Sequence, residues 1–169
     1  MATEETTFIL NGATQSVSSS PDTPLLYVLS DELGLQGPRF GCGLAQCGSC
    51  SVLLDDVEVR SCVTPLSAVS GKRVTTLEGL PARYAEARGL ERVPPMTPLQ
   101  EAMLTEQAPQ CGYCYSGILI KATELLERNP APDEAAIRAA LDGHLCRCGT
   151  YPKIIGAIQR AAAKMQEQA

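Results

Sequence analysis

The sequence predicts an α+β fold in two parts, a small open sheet followed by a bundle of four short helices. Strand-like runs separated by turn signals fill the first half, and apolar residues at three-and-four spacing fill the second. Four of the eight cysteines fall in each half. We therefore expect one domain over residues 1–79, a linker over residues 80–98 and a second domain over residues 99–169.

The first half predicts two pairs of strands, one helix and a last single strand. "TTFILNG" and "TQSVSS" flank Asn11-Gly12, which is a strong signal for a tight hairpin. "DTPLLYVLSDELGL" has apolar residues at helical spacing and ends at Gly34. "SVLLDDVEVRSCV" predicts two strands joined at Asp55-Asp56, and "KRVTTLEG" predicts a last strand.

The second half begins after a stretch that is rich in proline. "GLPARYAEARGLERVPPMTP" carries four prolines and two glycines without a steady apolar period, which indicates a linker with about one helical turn. Beyond it, "TPLQEAMLTEQA", "GILIKATELLERNP", "PDEAAIRAALDG" and "YPKIIGAIQRAAAKMQ" each predict a helix.

The first cysteine group has the spacing of the ligands of a plant-type 2Fe-2S cluster. It consists of Cys42, Cys47, Cys50 and Cys62. Gly41, Gly43 and Gly48 let the backbone wrap closely around such a group and donate amides to its sulfurs. A structural zinc site is the alternative, but its four cysteines usually come as two close pairs in sequence.

The second cysteine group lies in the helical half. It consists of Cys111, Cys114, Cys146 and Cys148. Taken alone, this group fits iron–sulfur ligation, zinc binding, or a thioredoxin-like redox role for its first pair. His144, the one histidine of the chain, is expected to pack or hydrogen-bond at a helix end rather than to bind metal.

Composition excludes several classes of partner. The net charge is −5, and the 14 Lys and Arg residues are scattered, which argues against nucleic-acid binding.

No apolar run approaches the roughly 20 residues of a membrane helix. "MATEETTFILNG" has acidic residues where a signal peptide is basic, so we expect a cytoplasmic chain, with export alongside a partner or peripheral membrane association left open. Four disulfides do not suit that compartment.

The sequence resembles the iron–sulfur subunit of the xanthine dehydrogenase and aldehyde oxidase family of molybdenum hydroxylases. The resemblance runs through "TPLLYVLSDELGLQGPRFGCGLAQCGSCSVLLD", "RSCVTPL", "QCGYCYSGILIKATELL" and "IRAALDGHLCRCGTYPKIIGAI". Within the family, the wording is most similar to the small subunits of bacterial isoquinoline and nicotinate hydroxylases and of related aldehyde dehydrogenases.

The resemblance implies a plant-type ferredoxin-like (β-grasp) domain followed by a four-helix 2Fe-2S-binding bundle. It makes the first cysteine group the ligands of an outer cluster and the second group the ligands of an inner one. Gln110 and Cys148 would contact a molybdopterin, in its cytosine-dinucleotide form, that is held by a large subunit. Electrons would leave to a flavin subunit or a c-type cytochrome.

Substrate chemistry, hydroxylation of an N-heteroaromatic compound or oxidation of an aldehyde, would then belong to the large subunit. Such an electron-transfer subunit is expected to expose an apolar docking face, which we predict around Tyr113, Tyr115 and the final helix. Two alternatives stay open from the sequence, a free-standing electron carrier with two clusters and a zinc-stabilised interaction module.

Overall fold

A five-stranded mixed sheet forms the framework of the first half in the computed structural model, which describes residues 5–168. The strands are β1 (Thr6–Leu10), β2 (Ala13–Val17), β3 (Ser51–Leu54), β4 (Val57–Arg60) and β5 (Arg73–Thr75). Their order across the sheet is β2-β1-β5-β3-β4. The pairs β1–β2 and β3–β4 are antiparallel hairpins, and β5 lies between them, parallel to β1 and antiparallel to β3.

The two hairpin turns form where the sequence predicts them. Asn11 and Gly12 both have positive φ, 50° and 88°, which is the geometry of the tight turn that suits twisted strands. Asp55 takes the left-handed conformation in the second turn, with φ of 56°. These two hairpins fix the registers of their strands, so the side chains that alternate inward form one buried face.

One helix packs across the buried face of the sheet. It starts as α1 (Leu25–Tyr27) and continues as a π-helical turn over Val28–Glu32, closed by the Leu33 amide bonding to the Val28 carbonyl at 3.1 Å. Leu25, Val28 and Leu29 are fully buried. They pack with buried residues of the sheet, namely Phe8, Leu10, Val17, Val52 and Val74.

Five helices follow the sheet. They are α2 (Leu80–Arg88), α3 (Pro98–Thr105), α4 (Tyr115–Arg128), α5 (Glu134–Ala140) and α6 (Tyr151–Glu167). The last four are the predicted helices, so the α+β fold class is confirmed. Over residues 5–168, no helix is both long and apolar enough to cross a membrane.

Helix α2 differs from the single turn expected in the linker. Its nine residues begin with Pro81 in the first turn and end at Gly89, whose φ of 60° caps the helix. Leu80 and Ala85 are buried. The helix lacks an apolar stripe because few of its residues face the core, so its sequence gives little periodic signal.

The two halves share one core. Leu53 of β3 and Leu80 belong to the same buried cluster as Leu99, Ile118 and Ile154 of the helical half. The domain limits at residues 79 and 98 therefore stay a prediction. What the shared core does establish is a fixed placement of helix α4 against strand β3, which sets the position of the two cysteine groups.

Candidate metal centres

The first cysteine group surrounds one loop and one strand end. Cys42 and Cys47 lie on the loop, Cys50 directly precedes β3, and Cys62 follows β4. The Ser61 amide bonds to the Cys50 carbonyl at 3.3 Å, which holds the strand end against the loop. Cys50 and Cys62 are buried together with Leu26, whereas Cys42 and Cys47 are half-buried. The Cys42 thiol interacts with that of Cys47, and the Cys50 thiol with that of Cys62, so the four sulfurs form two neighbouring pairs.

Backbone amides of the loop already point at sulfur. The amides of Leu44 and Gln46 donate to Cys42 Sγ at 3.4 and 3.3 Å, and the Cys42 amide donates to Cys47 Sγ at 3.4 Å. The bond from Leu44 is the largest influence on the pKa of Cys42, and with further bonds from Gln46 and Cys47 it lowers that pKa to about 7. Burial instead raises the pKa of Cys50 to about 11. The loop therefore stabilises a thiolate at its outer edge, which is the form that binds metal.

Two glycines of this loop are required by close contacts. A Cβ on Gly41 would lie 2.6 Å from Cys47 Sγ. Gly48 has φ of 79°, and a Cβ there would lie 2.5 Å from a ring carbon of His144. Any larger residue at either position would displace a cysteine or the helical half.

The second cysteine group forms two further pairs. Cys111 and Cys148 have their sulfurs 3.7 Å apart, and the thiols of Cys114 and Cys146 interact directly. Burial raises the pKa of Cys114 to about 12. Burial also tends to raise the pKa of Cys146, but hydrogen bonds from Cys114 and from Thr150 outweigh it and lower the pKa to about 7.

The Tyr151 side chain holds the loop that carries Cys146 and Cys148. Its hydroxyl donates to the His144 carbonyl at 2.7 Å and accepts from the Cys146 amide at 2.8 Å. Sequence reasoning missed this role. The signal that could have found it is an aromatic residue at the start of the last helix, three positions after Cys148.

The paired thiols suit a binuclear cluster. Within residues 5–168 no three metal-binding side chains converge on one point, and the sulfurs instead lie in four close pairs. A 2Fe-2S cluster held by four cysteines takes two thiolates on each of its irons. Each half of the chain offers two such pairs, together with amides directed at sulfur, so the residues present fit the group.

The two cysteine groups are in direct backbone contact. The Leu145 amide, next to Cys146, donates to the Cys47 carbonyl at 2.9 Å. The Ser116 hydroxyl donates to the Ser49 carbonyl at 3.3 Å. Gly117 packs so closely that a Cβ there would lie 1.9 Å from the Gly48 carbonyl oxygen. Helix α4 and the turn after α5 thus cover the inner side of the first loop.

His144 and Arg60 occupy this contact region. His144 is 2% exposed, and burial, with the nearby Arg60 charge, lowers its pKa to about 3. The neutral ring accepts from Arg60 Nη1 at 3.0 Å and lies 3.3 Å from the Ser51 hydroxyl. The predicted hydrogen-bonding role of His144 is confirmed, whereas sequence reasoning missed Arg60.

The surface near the second group is partly as predicted. Gln110 and Cys111 are exposed beside the first turn of α4. Tyr113 is 48% exposed, and its hydroxyl donates to the Phe40 carbonyl at 2.5 Å. The prediction for Tyr115 is wrong, because it is only 8% exposed and points inward at the Met103 sulfur, 3.6 Å away. As the first residue of α4, it turns its ring to the core.

Comparisons with known proteins cover nearly the whole chain. Residues 8–76 match the family model of a 2Fe-2S iron-sulfur cluster binding domain, and residues 76–159 match that of a second 2Fe-2S binding domain. The chain is 46% identical over 153 residues to one subunit of the nicotinate dehydrogenase of Pseudomonas putida, covering 90% of this chain and 91% of that protein. It is 49% identical over 156 residues to the alpha subunit of isoquinoline 1-oxidoreductase of Brevundimonas diminuta, covering 92% and 95%.

A solved structure of a related oxidoreductase has the same fold as this chain. The crystal structure of the aldehyde oxidoreductase from Desulfovibrio desulfuricans ATCC 27774 matches with a TM-score of 0.87 and 35% identity, over 98% of this chain and 17% of that one. The chain has an electron-transfer role with two 2Fe-2S clusters, in an oxidoreductase whose catalytic site lies in a partner chain. The chain belongs to the iron–sulfur small subunits of the xanthine dehydrogenase and aldehyde oxidase family of molybdenum hydroxylases.

Proposed function

We propose that this chain carries electrons from a molybdopterin centre in a partner large subunit to an external acceptor. The relatives named for nicotinate and isoquinoline support an N-heteroaromatic substrate for the complex, and the aldehyde oxidoreductase supports an aldehyde. That oxidoreductase is one long chain of which this fold is 17%, which supports a large partner here. The single observation that carries the proposal is the backbone contact between the two groups of paired cysteines.

The paired sulfurs support the ligand assignment that we propose. The outer cluster is assigned to Cys42, Cys47, Cys50 and Cys62, and the inner cluster to Cys111, Cys114, Cys146 and Cys148. Each close pair of thiolates would share one iron. When bound, a cluster of this kind stores a single electron, so the two electrons released per substrate leave one at a time.

The chain itself supplies the connection between the two sites. Only one hydrogen bond, from the Leu145 amide to the Cys47 carbonyl at 2.9 Å, separates a ligand of the outer cluster from the neighbour of an inner ligand, Cys146. Buried packing of Gly117 against Gly48 keeps water out of this contact. We infer that electrons cross between the two groups here.

Exposure supports a surface for a partner at each cysteine group. Cys111 and Gln110 are exposed, so the second group reaches the surface where a large subunit would bind, with Gln110 and Cys148 as its pterin contacts. We propose the cytosine-dinucleotide form of that cofactor. The first group has an exposed surface of its own, because half-buried Cys42 lies two residues before exposed Leu44, and this surface suits contact with a flavin subunit or a c-type cytochrome.

The test is a metal count on the complex isolated gently through a tag on this chain. The proposal predicts about four irons and one molybdenum per chain. Cys62→Ser should lose the outer cluster and Cys114→Ser the inner one, about two irons each, with a different spectroscopic signal lost in each case. Val63→Ala, an exposed neighbour of Cys62, is the control and should keep all four irons.

The same count decides between the alternatives. Four irons that never co-purify with molybdenum would favour a free-standing electron carrier. Zinc in place of iron would replace the proposal with an interaction module. Loss of the same signal in both cysteine variants would contradict the assignment of the two ligand groups.

A further inference from the structure

One guanidinium joins the two cysteine groups. Arg60 ends strand β4, and its side chain is 15% exposed. Its Nε donates to the Ala45 carbonyl at 3.4 Å, and its Nη2 donates to the Gly143 carbonyl at 3.2 Å. Ala45 lies on the first cysteine loop and Gly143 on the turn that leads to Cys146. The Arg60 side chain therefore spans both loops.

The third nitrogen of the Arg60 guanidinium, Nη1, has three partners. Nη1 donates to the Ser51 hydroxyl at 2.7 Å and to His144 Nε2 at 3.0 Å, and it forms an ion pair with Glu58. The planar guanidinium presents its donors in a rigid arrangement, so bonds in several directions also fix distances. A lysine at this position could place the charge but could not reach both carbonyls at once.

We propose that Arg60 is a positioning residue that sets the spacing of the two cysteine groups and whose charge makes both centres easier to reduce. The inference rests on the proposed function, since it concerns clusters held by those groups. Reduction adds negative charge to a cluster, and a nearby cation stabilises the reduced form in a site of low dielectric constant.

The ion pair with Glu58 gives the proposal a second, opposite test. The Glu58 carboxylate partly cancels the Arg60 charge, because it is only 10% exposed and contacts the guanidinium directly. Removing the carboxylate should therefore ease reduction, whereas removing the guanidinium should hinder it. Two neighbouring residues on one strand thus have effects of opposite sign, which a general loss of packing would not produce.

The experiment compares Arg60→Gln, Arg60→Lys and Glu58→Gln in the assembled complex. Redox titration followed by electron paramagnetic resonance gives the ratio of reduced to oxidised form for each cluster at a fixed ambient potential, and the interaction between the two reduced clusters reports their spacing. Arg73→Gln is the matched control, because Arg73 lies in the same sheet on β5, which β3 separates from β4, and 52% of its side chain is exposed. Iron per chain is measured for every variant.

We expect Arg60→Gln to lower the ratio of reduced to oxidised cluster at least about threefold for both clusters. Glu58→Gln should raise the same ratio by a similar factor. Arg60→Lys should restore the ratio to within about twofold of the original chain while the interaction between the clusters weakens. Arg73→Gln should change neither measurement.

The outcomes separate this proposal from the function on which it rests. If the original chain holds fewer than four irons, the proposed function fails. If iron is complete and Arg60→Gln behaves like Arg73→Gln, the role of Arg60 is refuted while the function stands. Should Arg60→Gln not assemble, the Glu58→Gln and Arg60→Lys results decide, and an unchanged ratio in Glu58→Gln overturns the proposal.

Discussion

Replacing Gly117 with alanine should loosen the contact between the helical half and the first cysteine loop. The added Cβ would lie 1.9 Å from the Gly48 carbonyl oxygen and 2.8 Å from its carbon. A relaxed carbon-to-oxygen contact is about 3.3 Å, so α4 and the loop must separate by about 1.4 Å. Both obstructing atoms are backbone, and neither can rotate away.

The expected loss of stability is the difference between two effects. Overpacking of this severity costs about 3 kcal/mol of the free energy of unfolding, and alanine recovers about 1 kcal/mol through its higher helix propensity. The net loss of about 2 kcal/mol corresponds to a fall in Tm of about 4–8 °C for a chain of this size. Thermal unfolding followed by circular dichroism, on samples matched for iron content, measures it.

Gly156 provides a matched control in another helix. A Cβ there would meet nothing closer than a Glu106 carboxylate oxygen at 4.0 Å. Gly156→Ala should therefore raise stability by about 0.5–1 kcal/mol through helix propensity alone. Equal or higher Tm in Gly117→Ala than in the original chain would refute the inferred close packing of α4 on the cysteine loop.

Two further substitutions test local features of the fold. Thr97→Ala should lower the free energy of unfolding by about 1 kcal/mol, because Thr97 and Gln100 cap helix α3 reciprocally at 3.2 and 2.8 Å, and Thr97→Ser should restore it in the same thermal assay. Burial tends to raise the pKa of Glu78, but hydrogen bonds from Thr76 and Gly37 outweigh it and hold that pKa below 4.5. The carboxylate therefore adds stability above pH 4.5 that is lost as the pH falls through its folded value. Glu78→Gln should be less stable than the original chain at neutral pH, with a gap in denaturant midpoint that narrows below pH 4.5; a constant gap would contradict this reading.

Local features of the fold were predictable from the sequence because short-range chemistry specifies them. The Asn11-Gly12 turn, the helix that starts at Leu25 and the four helices from Pro98 onward all form as expected. Cysteine spacing predicted two separate groups, and each group is indeed assembled from two neighbouring pairs. Turn residues and periodic apolar residues act within a few positions of one another, so one sequence shows them.

Contacts between distant segments could not be predicted in this way. Arg60 reaches Gly143, and Gly117 rests on Gly48, through a tertiary arrangement that no local pattern encodes. Tyr115 was expected on a docking face, but the phase of helix α4 against the core turns it inward. The full length of helix α2 was not predicted, because burial of Leu80, rather than a periodic apolar stripe, holds the helix in place.

The central position of strand β5 has a consequence for how the chain acquires its shape during synthesis. The three residues Arg73–Thr75 are the bridge between two hairpins, one formed by β1 with β2 and the other by β3 with β4. Each hairpin can close from neighbouring residues as it leaves the ribosome, yet isolated two-stranded ribbons are marginally stable in water. The first cysteine loop connects these two ribbons, so its geometry is settled only when Val74 arrives. A nascent chain halted before that residue would leave each ribbon with two unpartnered edges, and such edges are templates for pairing with other chains.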